Sequence, residues 1–128
     1  MKEREIKRGQ IYMVELNFTT NSIMRGTRPC IIVSNNKNNK YSPVVHVVPM
    51  TSTAKKKKIP THYDMDIHNQ IGTALCESVM PVAKEQIGAY ICTVRPKDMY
   101  QINRRLKMQL ALRDSDSYEY EGINYVNF

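Results

Sequence analysis

Helical periodicity occurs once in this chain, and late. Met99, Ile102, Leu106 and Leu110 recur at intervals of three and four, an amphipathic stripe within residues 96–112. Pro96 suits a first helical turn, and Asp98 lies near the positive end of that helix dipole. Everywhere earlier, the apolar residues come in short runs rich in β-branched side chains. Residues 10–17 alternate, and Pro29 opens the continuous run Cys30-Ile31-Ile32-Val33-Ser34, which predicts a central strand buried on both faces. Residues 44–50 and 61–67 read as further strands, Gly72 as a turn before residues 73–79, and residues 90–94 as one more short strand. Residues 18–28, 35–43 and 51–59 are polar and turn-rich and read as connections. Five or six short strands with one terminal helix predict a mainly β fold, a small, strongly curved β-barrel with a helix packed against it.

The 128 residues suffice for one compact domain. Residues up to Arg113 contain all 19 basic and eight of the 12 acidic side chains, a balance of +11. Residues 114–128 hold Asp114, Asp116, Glu119 and Glu121 and no Lys or Arg, a balance of −4. The expected division is therefore a single domain over residues 1–113 and an acidic tail over 114–128 that also carries Tyr118, Tyr120, Tyr125 and Phe128. A body this basic suits a polyanion, with nucleic acid the leading candidate. No run approaches the roughly 18 apolar residues of a membrane span, and the charged start Met1-Lys2-Glu3-Arg4-Glu5 has no apolar signal core. A cytoplasmic protein with no membrane partner is expected.

Cys30, Cys76 and Cys92 sit in apolar surroundings without the close Cys or His spacing of a zinc site, so reduced thiols and no metal are expected. His46 lies in an apolar run and reads as a packed residue, His68 as a turn residue.

Several segments, in order, carry a resemblance. They are Ile6-Lys7-Arg8-Gly9-Gln10-Ile11-Tyr12, Gly26-Thr27-Arg28-Pro29, Ser34-Asn35-Asn36, Asn39-Lys40-Tyr41-Ser42-Pro43, Val48-Pro49-Met50-Thr51-Ser52, Ile59-Pro60-Thr61-His62 and Leu75-Cys76-Glu77. With the closing helix they resemble the MazF/PemK (Kid) family of toxins from type II toxin–antitoxin systems. The resemblance implies an SH3-like barrel of the CcdB/MazF/Kid type with a C-terminal helix, usually a homodimer. It implies an endoribonuclease that needs no metal or cofactor and cuts single-stranded RNA by attack of the 2′-hydroxyl, leaving a 2′,3′-cyclic phosphate and a 5′-hydroxyl. It also implies a cognate antitoxin as protein partner.

On this resemblance Arg28 and Thr51 are the catalytic residues. The chemistry suits them: a guanidinium fork holds two phosphate oxygens and keeps its charge, and a threonine hydroxyl can donate to the same group. Taken singly, each residue also reads as an ordinary surface charge or a strand-end hydroxyl. Arg25, Thr27, Ser52, Lys55, Lys56, Lys57 and His62 are candidate RNA contacts, and Tyr41 offers a stacking face. The four-lysine run 55–58 reads equally as a solvated loop.

The chain departs from the family pattern at Ile23 and Met24, where relatives carry acidic and amide residues, and at Met80, where an Arg is frequent. Pro81 beside it would interrupt an interior ladder. Glu15 and Glu77 remain as carboxylates, the latter a candidate partner for a lysine. These departures leave open a non-catalytic, CcdB-like binding module, or a decayed toxin that still binds its antitoxin. The tail reads first as a disordered segment or an extra packed edge, and its acidic, aromatic makeup also allows it to fold back on the basic body, or on a dimer mate, and compete with RNA.

Overall fold

The computed structural model describes residues 4–17, 25–52 and 59–112. Ile23, Met24, the lysines 55–58 and the tail 114–128, with the expectations attached to them, lie outside these residues.

Among the described residues, seven strands and two α-helices follow one another as β1 (Gln10–Glu15), β2 (Thr27–Ile32), α1 (Asn36–Tyr41), β3 (Val44–Thr51), β4 (His62–Ile67), β5 (Gln70–Leu75), β6 (Met80–Ala83), β7 (Ile87–Thr93) and α2 (Pro96–Gln109). The strands form one antiparallel sheet in the order β4-β5-β3-β2-β1-β7, with β6 added on β3. It curls into the mainly β half-barrel, closed by a C-terminal helix, that the sequence predicts.

β3 is the hub. Val47 pairs with Ile32 of β2 on one side and with Met80 of β6 on the other. Beyond Pro49 the strand pairs with β5, Met50 with Ala74 and Thr51 with Thr73. Pro49 has no N–H to donate, and it falls where β6 has ended and β5 has not begun.

Two apolar clusters fill the curl. Ile11, Ile31, Val48, Met50, Met65 and Ala74 meet Ile102 of α2 in one, with Met99 and Leu106 packed against it. Tyr12, Val14, Cys30, Ile32, Val45 and Val47 form the other. Successive residues of β2 therefore enter different clusters, so the strand is buried on both faces, as its unbroken apolar run predicts. Of the helical stripe, Met99, Ile102 and Leu106 meet the sheet, whereas Leu110 caps the helix and is exposed.

Four sequence expectations are corrected. Residues 35–43 contain helix α1, whose Asn35 cap accepts a hydrogen bond from the Asn38 N–H at 2.8 Å. This short helix is fixed by Asn39, which is buried and donates Nδ2 to the Ser34 carbonyl at 2.8 Å. It has no apolar stripe for a periodicity to reveal. Gly72 is not a turn: it lies within β5, where an added Cβ would stand 3.0 Å from the Met50 methyl, and the turn falls at His68 and Asn69. Pro81 interrupts nothing, because β6 pairs with β3 alone among the described strands and can leave the proline nitrogen on its outer edge. His46 is exposed on β3, not packed.

α2 is tied to the sheet by a buried carboxylate. Asp98 accepts from Tyr63 Oη at 2.6 Å and from Arg95 Nε at 2.9 Å. Burial pushes its carboxyl up, but these hydrogen bonds and the charges of Arg95 and Lys97 outweigh it and hold Asp98 below its ordinary 3.8. A carboxyl with a lowered folded-state pKa stabilises the fold fully above the ordinary Asp range and loses that contribution as pH falls through the lowered value. Urea midpoints should accordingly fall on acidification through this window. Asp98→Asn should cost about 2 kcal/mol at neutral pH and flatten this part of the acid limb.

Candidate active site

The last β2–β3 pair is Cys30 with Pro49. The next residue of β2 is Pro29, which has no N–H with which to continue the ladder. Carrying the same register past this break sets Arg28 opposite Thr51. Each lies two residues beyond the Cys30–Pro49 pair, so both side chains emerge on the face of Cys30, where β2 and β3 are no longer hydrogen-bonded to each other. The Cys30 thiol is pushed up to about 12 by burial, with the Arg28 charge pulling it the other way.

Local structure orients the arginine. Arg28 Nε donates to the Arg25 carbonyl at 2.8 Å, leaving the guanidinium's terminal nitrogens for other acceptors. The chain enters β2 through Gly26, whose φ of 84° is left-handed. Its N–H donates to Asn17 Oδ1 at 2.8 Å, and its carbonyl accepts from the Leu16 N–H at 2.9 Å. The end of β1 thus clamps the approach to Arg28.

The row continues across the sheet. Thr51 pairs with Thr73, and Thr73 with Asp64 of β4, so that three polar residues follow Arg28 on one face. Thr73 is buried and donates its hydroxyl to Asp64 Oδ1 at 2.6 Å. Sequence reading passed over both, since neither stands in a motif and only strand pairing brings them beside Thr51.

The remaining candidates divide. Thr27, paired with Glu15 at the start of β2, and Arg25 are exposed beside Arg28, and Ser52 is exposed directly after Thr51. Lys55, Lys56 and Lys57 lie outside the described residues. His62 turns its ring to Glu77: Nε2 stands 2.8 Å from Glu77 Oε2, and Nδ1 is buried without a hydrogen-bond partner among the described residues. Glu77 also accepts from the Thr61 hydroxyl at 2.8 Å, so among the described residues its partners are Thr61 and His62 and not a lysine. Tyr41 is 72% exposed but sits at the opposite end of β3 from Thr51. The length of β3 separates them by roughly 20 Å, so the structure does not bring Tyr41 to the Arg28–Thr51 end.

A small curled antiparallel β-sheet closed by a C-terminal helix is the architecture of MazF structures. MazF from Deinococcus radiodurans superposes with a TM-score of 0.76 at 15% identity over 86% of this chain and all of that one, a likeness of fold. A mycobacterial endoribonuclease solved in complex with its cognate antitoxin matches with a TM-score of 0.72 at 30% identity, over 84% of this chain and 97% of that one. Among curated proteins, Endoribonuclease MazF of Staphylococcus epidermidis is 28% identical over 118 residues, 89% of this chain and 98% of the relative. Endoribonuclease EndoA of Bacillus subtilis is 27% identical over 113 residues, 85% and 97% of the two chains. The chain belongs to the PemK-like, MazF-like toxin family of type II toxin–antitoxin systems, whose model matches residues 7–110.

Gly26→Ala tests the clamp on Arg28. No atom lies within 4 Å of the added Cβ, so the cost is backbone strain at positive φ, about 1–2 kcal/mol. A chemical denaturation curve should show that loss, and Asn17→Ala, which removes the side chain holding Gly26, should lower stability in the same direction.

Proposed function

We propose that this chain is the toxin of a type II toxin–antitoxin pair and acts as an endoribonuclease on single-stranded RNA, with Arg28 and Thr51 at the scissile phosphate. The observation that supports this reading is the Cys30–Pro49 pair that ends the β2–β3 ladder, with Arg28 and Thr51 each two residues beyond it. The Arg28 fork suits two non-bridging phosphate oxygens, and the Thr51 hydroxyl can donate to one of them.

The substrate supplies its own nucleophile. Its 2′-oxygen forms a bond to phosphorus, the bond to the 5′-oxygen breaks, and the 2′-proton leaves as the 5′-oxygen gains one. The products are a 2′,3′-cyclic phosphate and a 5′-hydroxyl. Charge builds on the non-bridging oxygens as phosphorus becomes five-coordinate, and a fixed guanidinium meets that charge without reorganising. An arginine is a poor base, so the proton transfers fall to other groups. No metal is required for these steps, and no cofactor is proposed.

The exposed Arg25 and the basic character of residues 1–113 support backbone contacts that are sensitive to salt and indifferent to sequence. Lys55, Lys56 and Lys57, which follow Ser52 after Thr53 and Ala54, are proposed to extend them, with Thr27 and Ser52 at the edges of the site. We assign the catalytic unit to residues 1–113 and treat 114–128 as an appended segment. A cognate antitoxin is the proposed protein partner, in keeping with the antitoxin-bound mycobacterial relative. A homodimer in the cytoplasm is the proposed state. No helix among the described residues is long and apolar enough to cross a membrane.

Incubation with long single-stranded RNA in EDTA, followed by analysis of the ends, tests the proposal. Cleavage leaving cyclic phosphates is expected. Arg28→Ala should lower kcat/KM by about 100- to 1000-fold, as loss of a donor to developing charge does elsewhere. Arg28→Lys should recover little, because a point charge does not reproduce the fork. Strict magnesium dependence, or wild-type cleavage by Arg28→Ala, would sink the mechanism.

A further inference from the structure

α2 buries one side and carries a second set of apolar residues on the other. Met99, Ile102 and Leu106 meet the sheet, whereas Tyr100 is 60% exposed and Met108 54%. Arg104 and Lys107 stand between these two at helical spacing, and both are exposed. The four residues line a groove of about 700 Å³ whose walls also include Asn103 and Leu112. The face is apolar and cationic at once, which suits an occupant that is aromatic and acidic.

The chain itself turns into this groove. Past Gln109 the helix closes in a Schellman motif: the Ala111 N–H donates to the Met108 carbonyl at 3.2 Å, and the Leu112 N–H to the Lys107 carbonyl at 2.9 Å. Ala111 takes a left-handed φ of 55°, a conformation usually left to glycine. The turn brings Leu112 back beside Lys107, where it forms a wall of the groove. The sixteen residues after Leu112 therefore set out from one end of that groove. An extended segment advances roughly 3.3 Å per residue and a helix about 1.5 Å, so about seven extended residues run the length of α2.

We propose that residues 114–128 dock on α2 of their own chain, with aromatic side chains of the tail against Tyr100, Met108 and Leu112 and its carboxylates beside Arg104 and Lys107. The tail holds Tyr118, Tyr120, Tyr125 and Phe128 with Asp114, Asp116, Glu119 and Glu121 and no Lys or Arg, the complement of the groove in both respects. A second copy is the poorer occupant, because an isologous contact sets this cationic face against itself. α2 packs on the face of the sheet that carries Ile31, while Cys30 points into the other cluster and Arg28 alternates with Cys30's face. A tail on the outer side of α2 therefore covers apolar surface away from the proposed phosphate site and does not compete with RNA. The proposal is independent of the ribonuclease reading.

Amide (1H–15N) spectra of the full chain test it through the tail signals, with a peptide of residues 114–128 as the undocked reference. In the wild type the tail signals should stand apart from those of the peptide and keep their positions on dilution. Arg104→Glu/Lys107→Glu should move them to the peptide positions and leave the β2 and β3 signals in place, since both side chains are exposed. Adding Glu119→Lys/Glu121→Lys to that variant exchanges the charges across the contact and should bring the tail signals back. Tail signals that match the peptide in the wild type, that the charge reversal leaves unmoved, or that the exchange fails to restore overturn the proposal. Signals that shift on dilution overturn it as well, and assign the tail to a groove on a second copy.

Discussion

One missing hydrogen-bond donor organises the functional end of this molecule. β2 and β3 are laddered through Cys30 and Pro49, and the ladder halts because Pro29 carries no N–H. Up to that point the two strands are core, buried on both faces. Past it the two strands are no longer bonded to each other, and Arg28 and Thr51, each two residues beyond the last pair, are both only partly buried. Pro49, on β3, marks the complementary change on the strand's other side, where β6 gives way to β5. Two prolines thus mark the end of a core strand pair.

The sheet's two faces then take different work. On β4 and β5, one face carries Tyr63, Met65 and Ala74 against α2, and the helix is fixed there by Asp98 through Tyr63 and Arg95. Arg105 adds a hydrogen bond to the His62 carbonyl at 2.9 Å and lies over the Tyr63 ring. The opposite face carries Thr73, Asp64 and Ile71, beside Thr51. Rigid packing on the helix side holds the polar row in place, which suits chemistry that depends on preorganised donors.

Much of the architecture was legible in the sequence because its apolar patterning is strong. The run Cys30-Ile31-Ile32-Val33 demanded a two-sided core strand, and the single stripe of Met99, Ile102 and Leu106 demanded the helix. What escaped reading was held by polar or local geometry. α1 rests on the Asn35 cap and on buried Asn39, neither of which leaves a hydrophobic period. Gly72 looked like a turn but serves a close approach inside a strand, while the real turn uses His68 and Asn69 in conformations that glycine usually takes. Arg28 and Thr51 were found through motifs, but Thr73 and Asp64 belong to no motif and emerge only from register. Glu77 does stand in a motif, but its partners His62 and Thr61 are brought to it only by the β4–β5 pairing.

The central claim, that Arg28 and Thr51 act on one phosphate because strand register brings them together, is tested most directly by a double-mutant cycle on RNA cleavage. Rates would be measured for the wild type, Arg28→Ala, Thr51→Ala and the double variant. Groups serving the same phosphate are coupled, so the double variant should be little slower than Arg28→Ala alone. Losses that simply multiply would mean that the two side chains act independently and would contradict the claim.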